Sequence, residues 1–394
     1  MRAHAAPAGL QCLGCGHCVA IGPVYKGCPR CGHVLITQYE ALEVGLPVAA
    51  AAEAVAGRVP ASPADLGQGS TPLLRADDPD GTVWLKCETA NPTLSHKDRM
   101  QSVVSAMSRK LGHPGLVTTS TGNNGVAAAA FARRAGLKCL VIAHPGMPAN
   151  CIWAISALGA SIITASPLAT ERELIGTLVA RGWAPVTSAD PRCGSGWANP
   201  YIVDGYRSIG AEICAQLGRI PQVVALPVAG GDTFAGVWYG LQEVASTVGA
   251  APPRMLAVQP EGAAWMARAQ RDGEDASPLA APSTAALSVL SELAGRHAVR
   301  SLITSGGLAI SVPEADMLAE TDRLAGLGLL VEATSALPSA GIRLARAAGN
   351  IKANETCVAV VTSSAFKWPT NGETLPREPS IRDRETLLEF VAGL

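Results

Sequence analysis

The chain has 394 residues, of which 48% are hydrophobic and 16% are charged, and its formal net charge is −1. This composition excludes an intrinsically disordered chain and allows two or more folded lobes. The near-zero charge, without a long run of Lys and Arg, argues against nucleic acid or an anionic membrane as the main partner. We therefore expect a small-molecule ligand.

The N-terminal part of the sequence bears on the cellular location. Residues Met1 to Leu10 contain no continuous apolar stretch of the kind found in signal peptides. The Ala-rich segment from Val48 to Val55 is too short to span a bilayer and carries Glu53. We therefore expect a cytoplasmic protein without a membrane partner.

Four cysteines near the N-terminus form two Cys-x-x-Cys pairs that are separated by 12 residues. Each second cysteine is followed by a glycine, which permits a tight turn. Two such pairs suit a tetrahedral Zn²⁺ site with four sulfur ligands, although a redox dithiol and chance clustering are alternatives. A segment this short cannot bury a core of its own, so the metal would supply its folding energy. The predicted zinc ligands are Cys12, Cys15, Cys28 and Cys31.

From about Gly67 onward, apolar runs of strand length alternate with helical patterns. Helices are predicted from Asp98 to Leu111 and from Val126 to Arg134. Such alternation predicts a largely parallel sheet covered on both faces, with ligands bound at the carboxyl ends of the strands. The predicted strands are Val83–Cys87, Gly115–Thr119, Lys138–Ala143, Ala160–Thr164, Val223–Val228, Met255–Val258 and Cys357–Val361.

The first candidate loop, Asn91–Arg99, carries Lys97 at the start of a predicted helix. The positive end of the helix dipole favours the neutral amine, which is the form that attacks an aldehyde. A surface lysine in a charged first turn is the alternative, and this loop alone does not decide between the two.

The second candidate loop, Thr118–Gly125, lies between a predicted strand and a predicted helix. Its hydroxyls and the N–H groups of the helix N-terminus form a cradle for a carboxylate or a phosphate. The amide of Asn123 can bond a ring hydroxyl. An ordinary helix start capped by Ser or Thr is the alternative.

Two further loops follow predicted strands. Ala229–Thr233 contains adjacent glycines that let the backbone approach an anion at a helix N-terminus. The strand at 357–361 is followed by three hydroxyl residues, Thr362, Ser363 and Ser364. Each loop is weak evidence by itself, because Gly-Gly loops and polar strand ends are common.

In chain order, these loops resemble those of the fold type II pyridoxal-phosphate enzymes, most closely the threonine synthase family. The lysine loop is similar to the family's Asn-Pro-Thr-Gly-Ser-Phe-Lys-Asp-Arg, and Ser120–Asn123 matches its Ser-Thr-Gly-Asn. Gly69–Leu73 is similar to the opening Gly-Asn-Thr-Pro-Leu, and Thr362–Pro369 loosely resembles the closing Thr-Gly-x-Gly-Leu-Lys-x-Pro. Many threonine synthases also begin with a cysteine-bearing segment of this ribbon type.

The resemblance implies an α/β fold like that of the tryptophan synthase β chain. We expect two α/β lobes with parallel-rich sheets, preceded by an N-terminal zinc ribbon. The predicted boundaries are residues 1–36 for the ribbon and residues 37–394 for the catalytic region. A smaller lobe at about residues 100–205 is expected to be inserted in the larger lobe.

The resemblance also implies roles toward pyridoxal 5′-phosphate. Lys97 would hold the cofactor as a Schiff base and move protons at the α- and β-carbons of the substrate. Asn123 would bond the ring hydroxyl, and Thr362 would face the pyridine nitrogen. A hydroxyl does not hold that nitrogen protonated, so elimination and replacement are favoured over transamination. The cofactor phosphate would be held by the backbone of Gly230, Gly231, Asp232 and Thr233.

The side chain of Asp232 departs from the family's cofactor-phosphate loop, which resembles Gly-Asn-Ala-Gly-Asn. Its carboxylate must point away from the cofactor phosphate, because the two anions repel each other. The lysine loop departs as well, since Leu94 and His96 stand where the family has Gly and Phe.

The substrate residues implied by the resemblance include Ser120 and Thr121, which would help bind the carboxylate. Asn199–Ser208 resembles the family's Asn-Pro-x-Arg-x-x-Gly-Gln-Lys-Thr, but Ile202 stands where the family has an arginine suited to a substrate phosphate. Arg207, which stands where the family has lysine, could compensate for that loss. Arg207 is therefore predicted to bind the substrate.

The leading prediction is a threonine synthase-like lyase that eliminates phosphate from O-phosphohomoserine and adds water to give threonine. The alternative within the class is a β-replacement or β-elimination enzyme, cysteate synthase-like or dehydratase-like, acting on a serine-type substrate such as O-phosphoserine. A non-catalytic ligand-binding homologue is an alternative from another class, which Lys97 disfavours because pure binding needs no imine-forming amine. The ribbon as a nucleic-acid or protein contact module is disfavoured because it lacks an aromatic and basic stripe. We expect a homodimer, an amino-acid substrate and no nucleic-acid partner.

Overall fold

The computed structural model describes residues 7–58, 64–78, 80–164, 168–193 and 195–367. Trp368 and Pro369, at the end of the predicted closing motif, lie outside the described residues. The strands are β1 Gly9–Cys12, β2 Cys18–Val19, β3 Leu35–Gln38, β4 Leu73–Ala76, β5 Val83–Cys87, β6 Gly115–Ser120, β7 Lys138–Ala143, β8 Ser161–Thr164, β9 Ala184–Pro185, β10 Val223–Pro227, β11 Arg254–Pro260, β12 Leu308–Val312 and β13 Cys357–Val361. The helices are α1 Val48–Ala56, α2 Lys97–Lys110, α3 Asn123–Ala135, α4 Ala149–Ala157, α5 Leu168–Ala180, α6 Asp204–Leu217, α7 Asp232–Val248, α8 Trp265–Asp272, α9 Arg296–Thr304, α10 Glu314–Gly326 and α11 Ala333–Ala347.

The N-terminal segment folds as a small antiparallel sheet in the order β2-β1-β3. Gly16 and Gly32, the glycines behind the two cysteine pairs, both have φ of +70°, a conformation that glycine adopts without a steric penalty. The inward side chains of Leu10 and Leu35 pack in one cluster with residues of α2, including Met107. The segment therefore shares a hydrophobic core with the helix that begins at Lys97.

The larger sheet has the order β12-β11-β10-β13-β5-β4. Its neighbouring strands are parallel except for β4, which pairs antiparallel with β5 at the edge. Alternate residues of β10 pack into two different clusters, with Val224 and Leu226 on one face and Val223 and Ala225 on the other. The central strands are thus buried on both faces, as the continuous apolar runs in the sequence require.

The smaller sheet is parallel throughout and has the order β8-β7-β6-β9. Helix α3 packs closely on this sheet at Gly125, where an added Cβ would lie 2.9 Å from both Val141 and Ile155. The glycine after the Ser-Thr-Gly-Asn motif therefore seats the start of the helix against the sheet.

The predicted α/β fold with parallel-rich sheets is confirmed. Strands β5, β7 and β13 have the predicted bounds, whereas β4, β9 and β12 were not predicted. In the part of the chain that the structure describes, no helix is long and apolar enough to cross a membrane.

Candidate active site

The loops after β6, β10 and β13, together with the start of α2, surround one cavity of about 340 Å³. This volume lies within the range of small-molecule sites, and the position at the carboxyl ends of parallel strands is the one expected for a ligand. Because β6 belongs to the smaller sheet and β10 and β13 to the larger one, the cavity lies between the two sheets. Its lining includes nine predicted residues, namely Lys97, Ser120, Thr121, Asn123, Gly230, Gly231, Asp232, Thr233 and Thr362.

Lys97 is the first residue of α2, and its amine donates to the hydroxyl of Tyr206 at 3.3 Å. The next side chain, Asp98, turns back into the lysine loop, where its carboxylate accepts the backbone N–H of Thr93 at 2.6 Å and also the Thr93 hydroxyl. Burial raises the pKa of Asp98 to about 6. The loop turns at Leu94, whose φ of 62° lies in the left-handed region where the family's glycine is unstrained.

His96 joins the start of α2 to the end of β13. The carbonyl oxygen of Thr362 accepts the backbone N–H of His96 at 2.9 Å and lies 3.1 Å from its Nδ1. Burial, reinforced by the charge of Lys97, lowers the pKa of His96 well below its usual value. The ring is therefore neutral, with an Nδ1–H that donates to the carbonyl.

Ser120 bonds to the backbone at the start of α3, whose N-cap residue is Gly122. The Ser120 hydroxyl oxygen accepts the backbone N–H groups of Gly122 at 2.9 Å and Gly125 at 2.8 Å. The amide of Asn123 donates to Glu332 Oε2 at 2.9 Å and accepts from the Ser363 hydroxyl at 2.9 Å. One Asn123 N–H is thus committed to a buried acid, and the second remains for a ligand.

The loop between β10 and α7 makes a left-handed turn at Gly231, where φ is 89° and an added Cβ would lie 2.3 Å from the Ala298 Cβ. Asp232 then begins α7, and its Oδ1 accepts the Ala189 N–H at 2.8 Å and the Ser188 hydroxyl at 3.1 Å. His297 Nε2 lies 3.1 Å from the same oxygen. Burial alone would raise the pKa of Asp232, but His297 and the Ala189 N–H outweigh it and lower that pKa.

Arg207 is not part of the described lining of the cavity, and the contacts of its side chain argue against its predicted role as a substrate ligand. The side chain is buried, with Nε donating to Asp204 at 3.0 Å, Nη2 donating to the Thr37 carbonyl at 3.0 Å, and Nη1 paired with Glu243. Ile202 is also fully buried. Every nitrogen of the Arg207 guanidinium therefore has a protein partner in this structure.

Several residues around the cavity were not predicted from the sequence, among them Glu332, Tyr206 and His297, which contact predicted site residues. Glu332 is buried at the start of α11, and burial raises the pKa of its carboxyl. Tyr206 contacts the amine of Lys97, and His297 contacts Asp232. Glu332 follows the apolar Leu329–Val331 in the sequence, which is the one local signal that marks it as a buried acid.

The four predicted zinc ligands come together in the N-terminal sheet. The Sγ atoms of Cys12, Cys15, Cys28 and Cys31 all lie within 4.8 Å of one another. Cys12 and Cys31 are 3.4 Å apart, Cys15 and Cys31 are 3.5 Å apart, and Cys15 and Cys28 are 3.8 Å apart. Four thiolates around a tetrahedral zinc at 2.3 Å are about 3.8 Å apart, which agrees with this spacing.

The family match and the relatives of this chain agree with the geometry of the site. The family described as "Pyridoxal-phosphate dependent enzyme" matches residues 64–363. The chain belongs to the pyridoxal-phosphate-dependent enzymes. It is 30% identical over 313 residues to the threonine synthase of Bacillus sp. (strain ULM1), covering 77% of this chain and 85% of that protein. It is 29% identical over 340 residues to the threonine synthase of Halalkalibacterium halodurans, covering 83% of this chain and 92% of that protein.

A comparison with solved structures supports the fold. The processed form of threonine deaminase isoform 2 from Solanum lycopersicum matches with a TM-score of 0.66 and 22% identity, over 84% of this chain and 95% of that chain. With the family match and the relatives above, the chain is a pyridoxal-phosphate-dependent lyase of the threonine synthase family.

The cavity fits pyridoxal phosphate by the chemistry of its lining. Lys97 offers an amine for the cofactor aldehyde. The turn at Gly231 leaves no space for a side chain, and the N-terminus of α7 presents free N–H groups that suit a phosphate. Thr362 and Asn123 offer a hydroxyl and an amide for the ring. These individual roles stay predictions.

Proposed function

We propose that this lyase eliminates phosphate from O-phosphohomoserine and adds water to form threonine. The observation that carries the proposal is the convergence of Lys97, the α3 N-terminus and the Gly230–Gly231 loop on one cavity, in a chain whose relatives are threonine synthases. In this proposal the amine of Lys97 carries out the chemistry. The N-terminus of α3 binds the carboxylate of the substrate, and the N-terminus of α7 binds the phosphate of the cofactor.

Bound pyridoxal phosphate would supply the electron sink that makes protons on the substrate carbons removable. Lys97 would hold the cofactor and then move those protons. The hydroxyl of Thr121 and the N–H groups at the start of α3 would orient the substrate carboxylate. The buried side chains of Phe234 and Val289 line the cavity and would limit the access of water to the reacting carbons.

A second candidate function, β-elimination or β-replacement on a serine-type substrate, is favoured by the position of Arg207. Arg207 is committed to Asp204 and Glu243, and Ile202 stands where the family has its arginine. No arginine belongs to the described lining of the cavity, whereas Glu171, Asp232 and Glu332 do. A substrate phosphate would therefore depend on hydroxyls, amides and helix N-termini for its recognition.

Steady-state rates with O-phosphohomoserine, O-phosphoserine, serine and threonine separate the two candidates. Threonine and phosphate released from O-phosphohomoserine, with the highest kcat/KM of the four substrates, is the expected result. Turnover of serine or threonine with no reaction of either phosphate ester would reject the leading function. The variant Lys97→Ala serves as the control, because it removes the only group proposed to hold the cofactor covalently.

The Cys12–Cys31 segment is proposed to hold one structural Zn²⁺. The spacing of the four Sγ atoms and the two glycine turns support this assignment. We further propose the division into a ribbon at residues 1–36 and a catalytic region at 37–394, with a smaller lobe at about 100–205. The smaller sheet, which lies between β5 and β10 in the chain, supports the inserted lobe. The homodimer, the cytoplasmic location and the lack of nucleic-acid binding stay predictions.

A further inference from the structure

The amine of Lys97 has an unusual hydrogen-bond environment. In the described part of the chain, its hydrogen-bond partner is the hydroxyl of Tyr206 at 3.3 Å, and the amine also lies 5.7 Å from the centre of the Tyr206 ring. The charged or titratable groups in electrostatic range of Lys97 include His96, Asp232, Glu332 and Lys367. Within the described residues, none of these forms an ion pair or a hydrogen bond with the amine.

Tyr206 is held rigidly on α6. The side chain is fully buried. Helices α6 and α7 pack closely at Gly236, because a Cβ added to Gly236 would lie 2.6 Å from the Cβ of Tyr206. The ring of His96 lies 5.6 Å from the Tyr206 ring at an interplanar angle of 32°. The hydroxyl donates to the sulfur of Met100 at 3.5 Å, and its oxygen accepts from Lys97 and also interacts with the side chain of Thr233. The phenol therefore has little freedom to leave the amine.

A phenol suits a lysine that must change its protonation state. The amine has to be neutral to attack an aldehyde or to take a proton from the substrate, and it is protonated once it has taken that proton. A carboxylate partner would favour the ammonium form, whereas a phenol accepts a hydrogen bond from an ammonium and donates one to a neutral amine. Burial raises the pKa of Tyr206, so the phenol stays neutral.

The sequence departs from the resembling family motif at both residues of this arrangement. Tyr206 stands where the resembling family motif has Gln, and His96 stands where it has Phe. The two replaced residues contact each other in the structure. Both replaced residues thus lie next to the amine of Lys97.

We propose that Tyr206 is a positioning residue for Lys97, whose hydroxyl aims the amine at the cofactor aldehyde and receives it when the substrate takes its place. This inference rests on the proposed role of Lys97 and is independent of the identity of the substrate. In the step concerned, the amine nitrogen bonds to the aldehyde carbon, and the carbonyl oxygen leaves as water with the two amine protons.

The test uses the visible absorbance of the cofactor–lysine linkage in wild-type protein and in three variants. Tyr206→Phe keeps the ring and removes the hydroxyl, Tyr206→Gln restores a polar group, and Tyr239→Phe removes the hydroxyl of another tyrosine that stacks on Arg207 instead. Apoprotein is mixed with pyridoxal phosphate, and the rate of linkage formation is measured across pH up to its alkaline plateau. Thermal unfolding of each variant checks that it is folded.

We expect Tyr206→Phe to slow linkage formation about tenfold on the plateau, because one hydrogen bond to the amine is lost. The pH midpoint of the linkage absorbance should fall by about one unit, since the lost oxygen accepts from the protonated form. Tyr206→Gln should recover most of the rate, and Tyr239→Phe should match the wild type.

Equal behaviour of Tyr206→Phe and Tyr239→Phe would overturn the proposal, and so would a similar slowing in all three variants. Wild-type protein that forms no linkage would overturn the assignment of Lys97 itself. If the linkage forms normally but O-phosphohomoserine does not react, only the proposed substrate fails.

Discussion

Replacing Arg207 by alanine should destabilise the fold and leave substrate recognition nearly unchanged. Arg207 donates to Asp204 at 3.0 Å and to the Thr37 carbonyl at 3.0 Å, and it pairs with Glu243. Asp204 is only 2% exposed, and without Arg207 its carboxylate keeps the Tyr39 hydroxyl as a donor at 3.2 Å. The alanine variant therefore leaves a buried charge without its countercharge.

The expected loss of folding free energy follows from the burial of the Arg207–Asp204 pair. Removing one partner of a buried ion pair costs about 3–5 kcal/mol. Glu243 adds little, because its side chain is 24% exposed and it keeps Arg58 at 3.1 Å. An unfolding entropy of about 2.1 cal/mol/K per residue gives about 0.8 kcal/mol/K for 394 residues. A loss of about 4 kcal/mol then lowers Tm by about 5 °C.

Thermal unfolding followed by circular dichroism measures this effect. The matched control is Arg254→Ala, which removes a pair with Glu355 at 2.8 Å whose arginine side chain is 43% exposed. Such a pair contributes about 1 kcal/mol or less, so Tm should fall by about 1 °C at most. Adding Asp204→Asn to Arg207→Ala should recover part of the loss, because the uncompensated charge is removed.

The pH dependence of the Arg207→Ala deficit has a definite sign. Burial raises the pKa of Asp204 even in the presence of Arg207, so the neutral carboxyl is the form that the fold prefers at this position. The stability contributed by that preference is present at low pH and is lost as pH rises through the raised pKa. The deficit should therefore be largest near neutral pH and shrink on acidification.

The result that would refute this reasoning is an Arg207→Ala variant that melts with the wild type and shows a hundredfold higher KM for a phosphorylated amino acid. Arg207 would then bind the substrate after a rearrangement of its buried contacts. KM values for O-phosphohomoserine and serine, measured well below Tm, decide the matter.

Two further predictions concern the ribbon and the lysine loop. Elemental analysis should find one zinc per chain, and Cys15→Ser should lose it. The control Cys18→Ser changes an exposed cysteine outside the cluster and should retain the zinc. Zinc retained by the Cys15 variant would contradict the assignment. Leu94→Gly should stabilise the protein by about 1 kcal/mol, because it relieves a φ of 62° at a partly exposed side chain. A lower Tm for this variant would show that Leu94 contributes more packing than strain.

Local signals in the sequence were sufficient for most strands of the two larger sheets and for the loops that carry chemistry, whereas β4, β9 and β12 were missed. The apolar runs at 83–87, 138–143 and 357–361 coincide with β5, β7 and β13, because strands buried on both faces need continuous apolar residues. Lys97 and Asn123 stand at the starts of α2 and α3, where the motifs predicted polar residues before a helix. Such features depend on neighbours in the chain, which the sequence displays directly.

The partner of each charged side chain was decided by the tertiary structure. Arg207 and Asp204 are three residues apart on one helix, but Thr37 and Glu243 come from distant segments and complete the burial of Arg207. In the same way, Glu332 reaches Asn123 across 209 positions of the chain.

The difference between what the sequence predicted and what only the structure showed has a physical reason. Backbone periodicity and helix starts arise from interactions over a few residues, so a single sequence carries them. Where a guanidinium or a carboxylate is buried depends on which elements pack together, and burial without a partner is too costly to tolerate. The sequence by itself therefore determined the α/β fold class and the loops that contain the candidate residues. Only the tertiary structure decided which partners bury the guanidinium of Arg207 and that Tyr206 contacts Lys97.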